Sequence, residues 1–174
     1  MDNAQCVETA SVRLQILQQR FAVVRQRTLQ LCEPLHVEDY GVQPMADASP
    51  PKWHLAHTSW FFDTFFLAPW QPGYAAFHPA YSELFNSYYN GVGNPFPRAR
   101  RGSLSRPTLE EVLAYRRYVD AATLELVDAT LCSCSPADLV KMTEVLELGI
   151  EHEQQHQELL LTDLKYNFGH HPLY

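Results

Sequence analysis

Two histidines spaced four residues apart are the residues best suited to chemistry. His152 and His156 lie in the polar stretch 150–158, and helical residues four apart lie one turn above each other on the same face. Two imidazoles in that arrangement can bind one metal ion. A third histidine, His57, lies in segment 51–57, which we also predict to be helical. Three neutral imidazoles leave positions open on a divalent metal, so the sequence predicts a metal site built between helices.

Segment 152–156 also matches HExxH, the zinc-protease motif, in which Glu153 would be the general base on a zinc-bound water. No extension downstream of the motif supplies a third ligand, and no sheet edge is predicted that could hold a peptide. The simpler alternative is a solvated polar helix face, because acid and amide side chains surround both histidines. A short motif of this kind often arises by chance, and His57 is what favours a metal site.

His54 competes with His57 as the third ligand, because residues three apart can share a helix face. We prefer His57, which lies beside Ala56 and deeper in its helix. His54 is expected either in the surroundings of the site or exposed. The remaining histidines lie in predicted loops and are given no role: His36, His78, His170 and His171.

Four arginines fall within nine residues that contain no acidic residue: Arg98, Arg100, Arg101 and Arg106. The whole chain has 13 basic and 20 acidic residues and a net charge of −7, so this segment is a local positive patch. Guanidinium groups bind carboxylates through paired hydrogen bonds, and the patch could therefore clamp an anionic small substrate. An equally weighted alternative is a solvated loop that forms ordinary salt bridges with the acidic fourth helix.

The first two of four predicted helices carry apolar residues at helical spacing. The first helix spans about residues 9–31, and its apolar stripe consists of Val12, Ile16, Leu17, Phe21, Val24, Thr28 and Leu31. The second begins after Ser49, which is its predicted N-cap, and continues to about residue 67, before Pro69. It is unusually aromatic and carries His57.

The third and fourth predicted helices have recognisable starts. Thr108 and Glu111 have the spacing of a capping box, and the helix that they begin runs to about residue 131. Ser135 is the predicted N-cap of the fourth helix, which runs to about residue 166.

A long crossover, residues 68–107, connects the second and third helices. Its many aromatic residues argue for an ordered segment, with a short helix at about 81–87. We find no strand-like alternation. The sequence therefore predicts an all-α four-helix bundle with a long ordered crossover between helices 2 and 3, and the interior of such a bundle suits a metal site.

Length and composition indicate one domain of 174 residues, 46% hydrophobic and 19% charged. The negative charge argues against nucleic acid or an anionic membrane as a partner. No apolar run approaches the length of a membrane span, and we see no secretory signal. The cysteines form no CxxC motif, so we expect reduced thiols in a cytoplasmic protein: they are Cys6, Cys32, Cys132 and Cys134.

Segments 49–57, 94–108 and 151–158 together resemble those of the ergothioneine-biosynthesis sulfoxide synthases, also called hercynine oxygenases. The resemblance extends from about residue 10 to the last residue. It implies a DinB-like four-helix bundle that holds non-haem Fe(II) through three histidines. These map to His57, His152 and His156.

Members of that family use O2 to join a thiol donor, γ-glutamylcysteine or cysteine, to trimethylhistidine, and they oxidise the sulfur. The resemblance thus implies a non-haem iron oxygenase that forms a carbon–sulfur bond, with the thiol donor, trimethylhistidine and O2 as its partners. The family's basic loop grips the carboxylates of the thiol donor. That role maps to Arg98 and Arg101, and the roles of Arg100 and Arg106 are left open.

Family members also carry a second domain after the bundle, which resembles formylglycine-generating enzyme and C-type lectins. It supplies most of the trimethylhistidine pocket and a proton-donating tyrosine. Residues 1–174 are therefore expected to be the metal-binding bundle, with a core of about 9–168, and the second domain is expected in the same polypeptide. The bundle alone is expected to be inactive. Two alternatives are a standalone DinB-like metal-dependent thiol transferase or hydrolase, and a non-catalytic helical bundle.

Overall fold

Four long helices dominate the computed structural model, which describes residues 3–89, 91–133 and 135–173. Their bounds are α1 Asn3–Cys32, α2 Pro51–Phe62, α3 Leu109–Ser133 and α4 Pro136–Gly169. Helix α1 packs mainly along α4, and α2 lies against both α3 and α4. No strand occurs in the described residues, so the predicted all-α bundle is confirmed. None of the described helices is long and apolar enough to cross a membrane.

Short helical turns occupy the connections. They span Val37–Gly41, Asp63–Leu67, Ala68–Trp70, Tyr81–Leu84 and Arg98–Ser103. Of the cysteines, Cys32 is a buried free thiol. The predictions for the other three fall on Cys134 and on the side chains of Cys6 and Cys132, which lie outside the described residues.

The buried face of α1 includes four of the seven predicted residues, Leu17, Phe21, Val24 and Thr28, and departs from the predicted stripe at two others. Leu14, Leu17, Phe21 and Val24 are buried, at alternating spacings of three and four residues. Val12 and Ile16 were predicted to share this face, but they are 51% and 59% exposed. The prediction for these two was wrong because they lie off the line that the buried residues follow along the helix.

Helix α2 starts and ends differently from the prediction. Pro50, not Ser49, holds the N-cap position, and no side chain caps this helix. The helix continues without a break through a π-helical turn at Asp63–Leu67 into Ala68–Trp70. Pro69 therefore lies inside the last turn of this continuous helical stretch, which ends one residue later at Trp70 and three residues beyond the predicted end.

Both predicted caps in the second half of the chain are confirmed. The Thr108 backbone N–H donates to the Glu111 carboxylate at 2.6 Å, and the Glu111 N–H donates to the Thr108 hydroxyl at 3.2 Å. The Asp138 N–H donates to the Ser135 hydroxyl at 3.2 Å. These bonds satisfy backbone donors that have no partner inside the helix.

Side chains anchor the crossover to the bundle. Phe85 is buried, and it lies just beyond the short helix Tyr81–Leu84, which ends earlier than predicted. Gln43 binds the basic segment, because its side-chain amide donates to the Arg98 carbonyl at 2.8 Å and accepts from the Gly102 N–H at 2.5 Å. The basic segment therefore has a defined position beside the bundle.

Gly149 of α4 packs directly against the Phe62 ring of α2. A Cβ atom at this position would lie 2.4 Å from Cε1 of the Phe62 ring, which is itself fully buried. Any side chain larger than hydrogen would force the Phe62 ring or the two helices to shift.

We expect Gly149→Ala to destabilise the protein by about 1–3 kcal/mol, because overpacking forces the surrounding core to shift. Gly169→Ala is the matched control: it lies in the same helix with open space around it, and alanine there should be neutral or slightly stabilising. Urea unfolding measures both. Equal stabilities for the two variants would contradict the packing argument.

Candidate metal centre

The structure brings together His57 from α2 and His152 and His156 from α4. The three ring centroids are 4.6–5.0 Å apart. One nitrogen from each ring lies within 4.8 Å of the others, a grouping that could hold a metal ion. These are the three histidines that sequence spacing and the family resemblance had singled out.

Aromatic rings and one hydrogen bond orient His57. Its ring stacks between Trp53 and Trp60, with centroid distances of 4.4 and 5.3 Å. Its Nδ1 lies 2.6 Å from the Phe85 carbonyl oxygen. Because a carbonyl oxygen only accepts, Nδ1 carries the proton, and Nε2 is the nitrogen with a free lone pair.

His152 stacks on Phe61, with ring centroids 4.6 Å apart. Its Nδ1 is buried and has no hydrogen-bond partner among the described residues. Buried polar atoms are usually paired, so an unpaired imidazole nitrogen in a group of three histidines fits a site that a bound ion would complete. Three imidazoles, one of them with such an atom, fit a divalent transition metal.

His54 is buried beside the three histidines, with 1% exposure. We expected it either in the surroundings of the site or exposed, and the first of these alternatives is correct. Its Nδ1 lies 3.0 Å from Nδ1 of His156, and its Nε2 lies 2.9 Å from the Asp163 carboxylate.

Burial keeps these imidazoles neutral, which is the form that binds metals. Burial lowers the pKa of His152 to about 4. The pKa of His54 is also lowered, mainly by burial. The pKa of His57 lies well below its usual value, and that of His156 is lowered too, because burial and then the neighbouring histidines disfavour a positive charge.

Glu153 does not lie with the histidines, despite its place in the HExxH motif. It is fully buried, and its carboxylate accepts hydrogen bonds from Arg25 at 2.9 Å, from Thr28 at 2.6 Å and from Arg116. Burial alone would raise its pKa, but Arg116 and Arg25 hold it at about 2. A carboxylate that is paired in this way is not available as a general base, which argues against the zinc-protease interpretation.

Two of the four arginines of the basic segment lie at the same cavity as the histidines. Arg98 and Arg101 line a cavity of about 230 Å³ together with His57, His152 and His156. Arg100 and Arg106 are exposed and do not line this cavity. Among the described residues, neither Arg98 nor Arg101 forms an ion pair with a carboxylate, so the alternative of ordinary salt bridges does not apply to them.

Arg101 is held rigidly in the cavity wall. It is 2% exposed, its guanidinium carbon lies 3.3 Å from the centroid of a Trp53 ring, and it donates to the hydroxyls of Ser49 and Ser87 at 2.9 and 3.0 Å. Burial, and then the charge of Arg98, lower its pKa to about 9, so it remains charged at neutral pH.

A second, larger cavity adjoins the first. It has a volume of about 430 Å³ and is lined mainly by apolar and aromatic side chains, including Phe61, Phe65 and Leu148. His152, Gln155 and Tyr89 line both cavities.

Sequence reasoning missed several residues of this site. Asp163 could have been noticed, because it lies seven residues after His156 and two helical turns place it on the same face of α4. Ser49 and Ser87 have no such signal, because the fold brings them to Arg101 from distant parts of the chain.

The model of the DinB superfamily matches residues 20–160. The match covers most of the chain and includes the three histidines and the basic segment, so the protein belongs to the DinB superfamily. Domains of this superfamily bind metals, and its members are often metal-dependent enzymes. No curated protein matches the chain.

We expect Glu153→Gln to destabilise the protein by about 3–5 kcal/mol, because the substitution leaves the buried Arg116 guanidinium without its anion and Arg25 with Asp120 as its remaining carboxylate partner. Glu151→Gln is the control, since Glu151 lies on the same helix and pairs with Arg20 at an exposed position; such surface pairs contribute little. Urea unfolding separates the two variants. A Glu153→Gln variant as stable as the wild type would show that the carboxylate does not hold the bundle together.

The stability of the metal-free protein should fall as the pH drops from about 7 to about 5. The buried histidines resist protonation when folded but bind protons near pH 6.5 when unfolded, so acid favours the unfolded chain. Each such histidine contributes a slope of up to about 1.4 kcal/mol per pH unit. Urea unfolding across this range tests the effect. In His152→Leu, the slope of the unfolding free energy against pH should be smaller by the contribution of about one proton. A flat profile would mean that these histidines are charged in the folded protein.

Proposed function

We propose that this chain is the metal-binding bundle of a non-haem Fe(II) sulfoxide synthase, which uses O2 to join a thiol donor to trimethylhistidine in ergothioneine biosynthesis. The observation that carries the proposal is the 230 Å³ cavity, because the three histidines line the same space as Arg98 and Arg101. A metal centre beside two cationic side chains suits a substrate that has both a metal-binding group and carboxylates.

His57, His152 and His156 would hold the Fe(II). Neutral imidazole ligands suit iron, and three of them leave further coordination positions for small molecules. Bound Fe(II) would supply the activation of O2 and the redox chemistry of carbon–sulfur bond formation. His57 is buried and His152 is half-buried, and aromatic rings stack on both, which keeps these side chains in place and restricts the access of water.

Arg98 and Arg101 would bind the carboxylates of γ-glutamylcysteine or cysteine. Charged hydrogen bonds from guanidinium to carboxylate are strong and directional. The guanidinium of Arg101 is already positioned by Ser49, Ser87 and Trp53, so little conformational entropy is lost when an anion binds.

Trimethylhistidine would approach from the larger cavity. Phe61, Phe65 and Tyr89 present aromatic rings there, and aromatic faces attract quaternary ammonium groups. The second domain of the sulfoxide synthases would complete this pocket, and such chemistry, which needs reduced thiols, belongs in the cytoplasm.

Anaerobic Fe(II) titration tests the metal centre. We expect one site in the wild type and binding weaker by about tenfold or more in His57→Ala and His152→Ala, because each removes a ligand. His170→Ala is the control, since His170 is exposed and away from the cavity. Stoichiometric zinc with no iron-dependent O2 consumption would favour a DinB-like thiol transferase or hydrolase instead. Metal content indifferent to His57 would indicate a non-catalytic bundle.

Calorimetric titration of the Fe(II)-loaded protein with γ-glutamylcysteine under anaerobic conditions tests the arginine clamp. Arg98→Gln should weaken binding by about tenfold to a hundredfold, the usual contribution of a charged hydrogen bond. Arg100→Gln is the matched control, because Arg100 is exposed in the same basic segment but does not line the cavity. Equal affinities in the two variants would remove the thiol-donor assignment while leaving the metal centre intact.

A further inference from the structure

A buried chain of contacts leads from Asp163 through His54 to His156. The Asp163 carboxylate lies 2.9 Å from Nε2 of His54, and Nδ1 of His54 lies 3.0 Å from Nδ1 of His156. His54 is 1% exposed and Asp163 is 7% exposed, so water has little access to either contact.

The order of donors and acceptors follows from the carboxylate at one end. An ionised carboxylate only accepts, so Nε2 of His54 carries a proton and donates to Asp163. A neutral imidazole has one N–H, so Nδ1 of His54 has a lone pair. The 3.0 Å contact is then a hydrogen bond only if Nδ1 of His156 carries the proton. That arrangement leaves the lone pair of His156 on Nε2.

We propose that Asp163 and His54 are positioning residues, which hold His156 in the form protonated at Nδ1 and so keep Nε2 free to bind a metal ion. The inference rests on the proposed three-histidine metal centre. Histidine ligands commonly donate their second N–H to a carboxylate or a carbonyl, which fixes the ring and increases its basicity. Here a second imidazole stands between the ligand and the carboxylate.

In the part of the chain that the structure describes, the other two candidate ligands, His57 and His152, have no side chain that fixes their protonated nitrogen in this way. His57 is fixed by a backbone group, because its Nδ1–H donates to the Phe85 carbonyl, and no side-chain substitution can remove that acceptor. Nδ1 of His152 has no partner among the described residues. Among the described residues, side chains that can be substituted therefore determine which nitrogen is protonated in His156, but not in His57 or His152.

A second contact, from the side of the cavity where Arg101 lies, holds the Asp163 carboxylate in place. Its Oδ2 also accepts from the Ser49 backbone N–H at 2.8 Å, and the Ser49 hydroxyl accepts from Arg101 at 2.9 Å. One carboxylate oxygen thus connects the metal ligand His156 with the cationic wall of the cavity. The anchoring keeps the carboxylate from rotating away from His54.

Two substitutions at one position separate positioning from packing. His54→Gln retains an acceptor that His156 can use and a donor for Asp163, whereas His54→Leu removes both. Nitrogen-15 NMR of the metal-free proteins reports which ring nitrogen of His156 is protonated. We expect protonated Nδ1 in the wild type and in His54→Gln, and a substantial shift to protonated Nε2 in His54→Leu.

Anaerobic Fe(II) titration then measures the effect on the centre. His54→Leu should bind Fe(II) about 10–100-fold more weakly, the range found when the partner of a metal-ligating histidine is lost, and His54→Gln should recover most of that loss. Protonated Nε2 in wild-type His156, or equal Fe(II) affinities in wild type and His54→Leu, would overturn the inference. If His54→Leu does not fold, the wild-type NMR spectrum alone still decides between the two forms. A wild type that binds no Fe(II) would instead overturn the proposed function.

Discussion

The carboxylate of Glu153, buried between two arginines, is the interaction on which the bundle depends. Glu153 belongs to α4 and Arg116 to α3, whereas Arg25 and Thr28 belong to α1. The arginines also bond to Ser59 and Thr58 of α2. Buried charges are strongly unfavourable unless every one is paired. If α1, α3 or α4 slid or turned by one residue, a charge would lose its partner, and a shift of α2 would break the hydrogen bonds of Ser59 and Thr58. The network therefore favours one alignment of the four helices.

That alignment places the three histidines of the candidate metal centre. His152 precedes Glu153 on α4, and His57 precedes Thr58 on α2, so the residues that lock the helices lie next to the residues that face the cavity. The histidines therefore do not need flexible loops to meet. Two rigid helices carry them, and hydrogen bonds and aromatic rings fix their orientation, which is the arrangement that gives a site its precision.

Much of this fold could be predicted from the sequence because its signals are local. A capping box at Thr108 and a serine cap at Ser135 depend on residues three apart, and two histidines four apart must share a helix face. The HExxH motif shows the limit of such reasoning. Nothing near Glu153 in sequence indicates that its partners are Arg25 and Arg116, since these pairings are made across the bundle.

Other errors have equally physical causes. Ser49 had the residue type of a helix cap, but a backbone contact with Asp163 and a side-chain contact with Arg101 use it elsewhere. The buried stripe of α1 was misplaced at Val12 and Ile16, because an apolar side chain alone does not reveal which face meets the neighbouring helix. The sequence could place His54 in the surroundings of the site. It could not indicate the contact with Asp163, because only the fold brings these two residues together.

The side chains shared by the two cavities have a consequence for how ligands would influence each other. Tyr89, His152 and Gln155 line both spaces, so molecules in the two cavities would contact the same three side chains. Any shift in these side chains caused by the first ligand changes the surface offered to the second. Such coupling is reciprocal by thermodynamic necessity. Two small molecules bound in these cavities would therefore favour or oppose each other's binding through the three shared side chains.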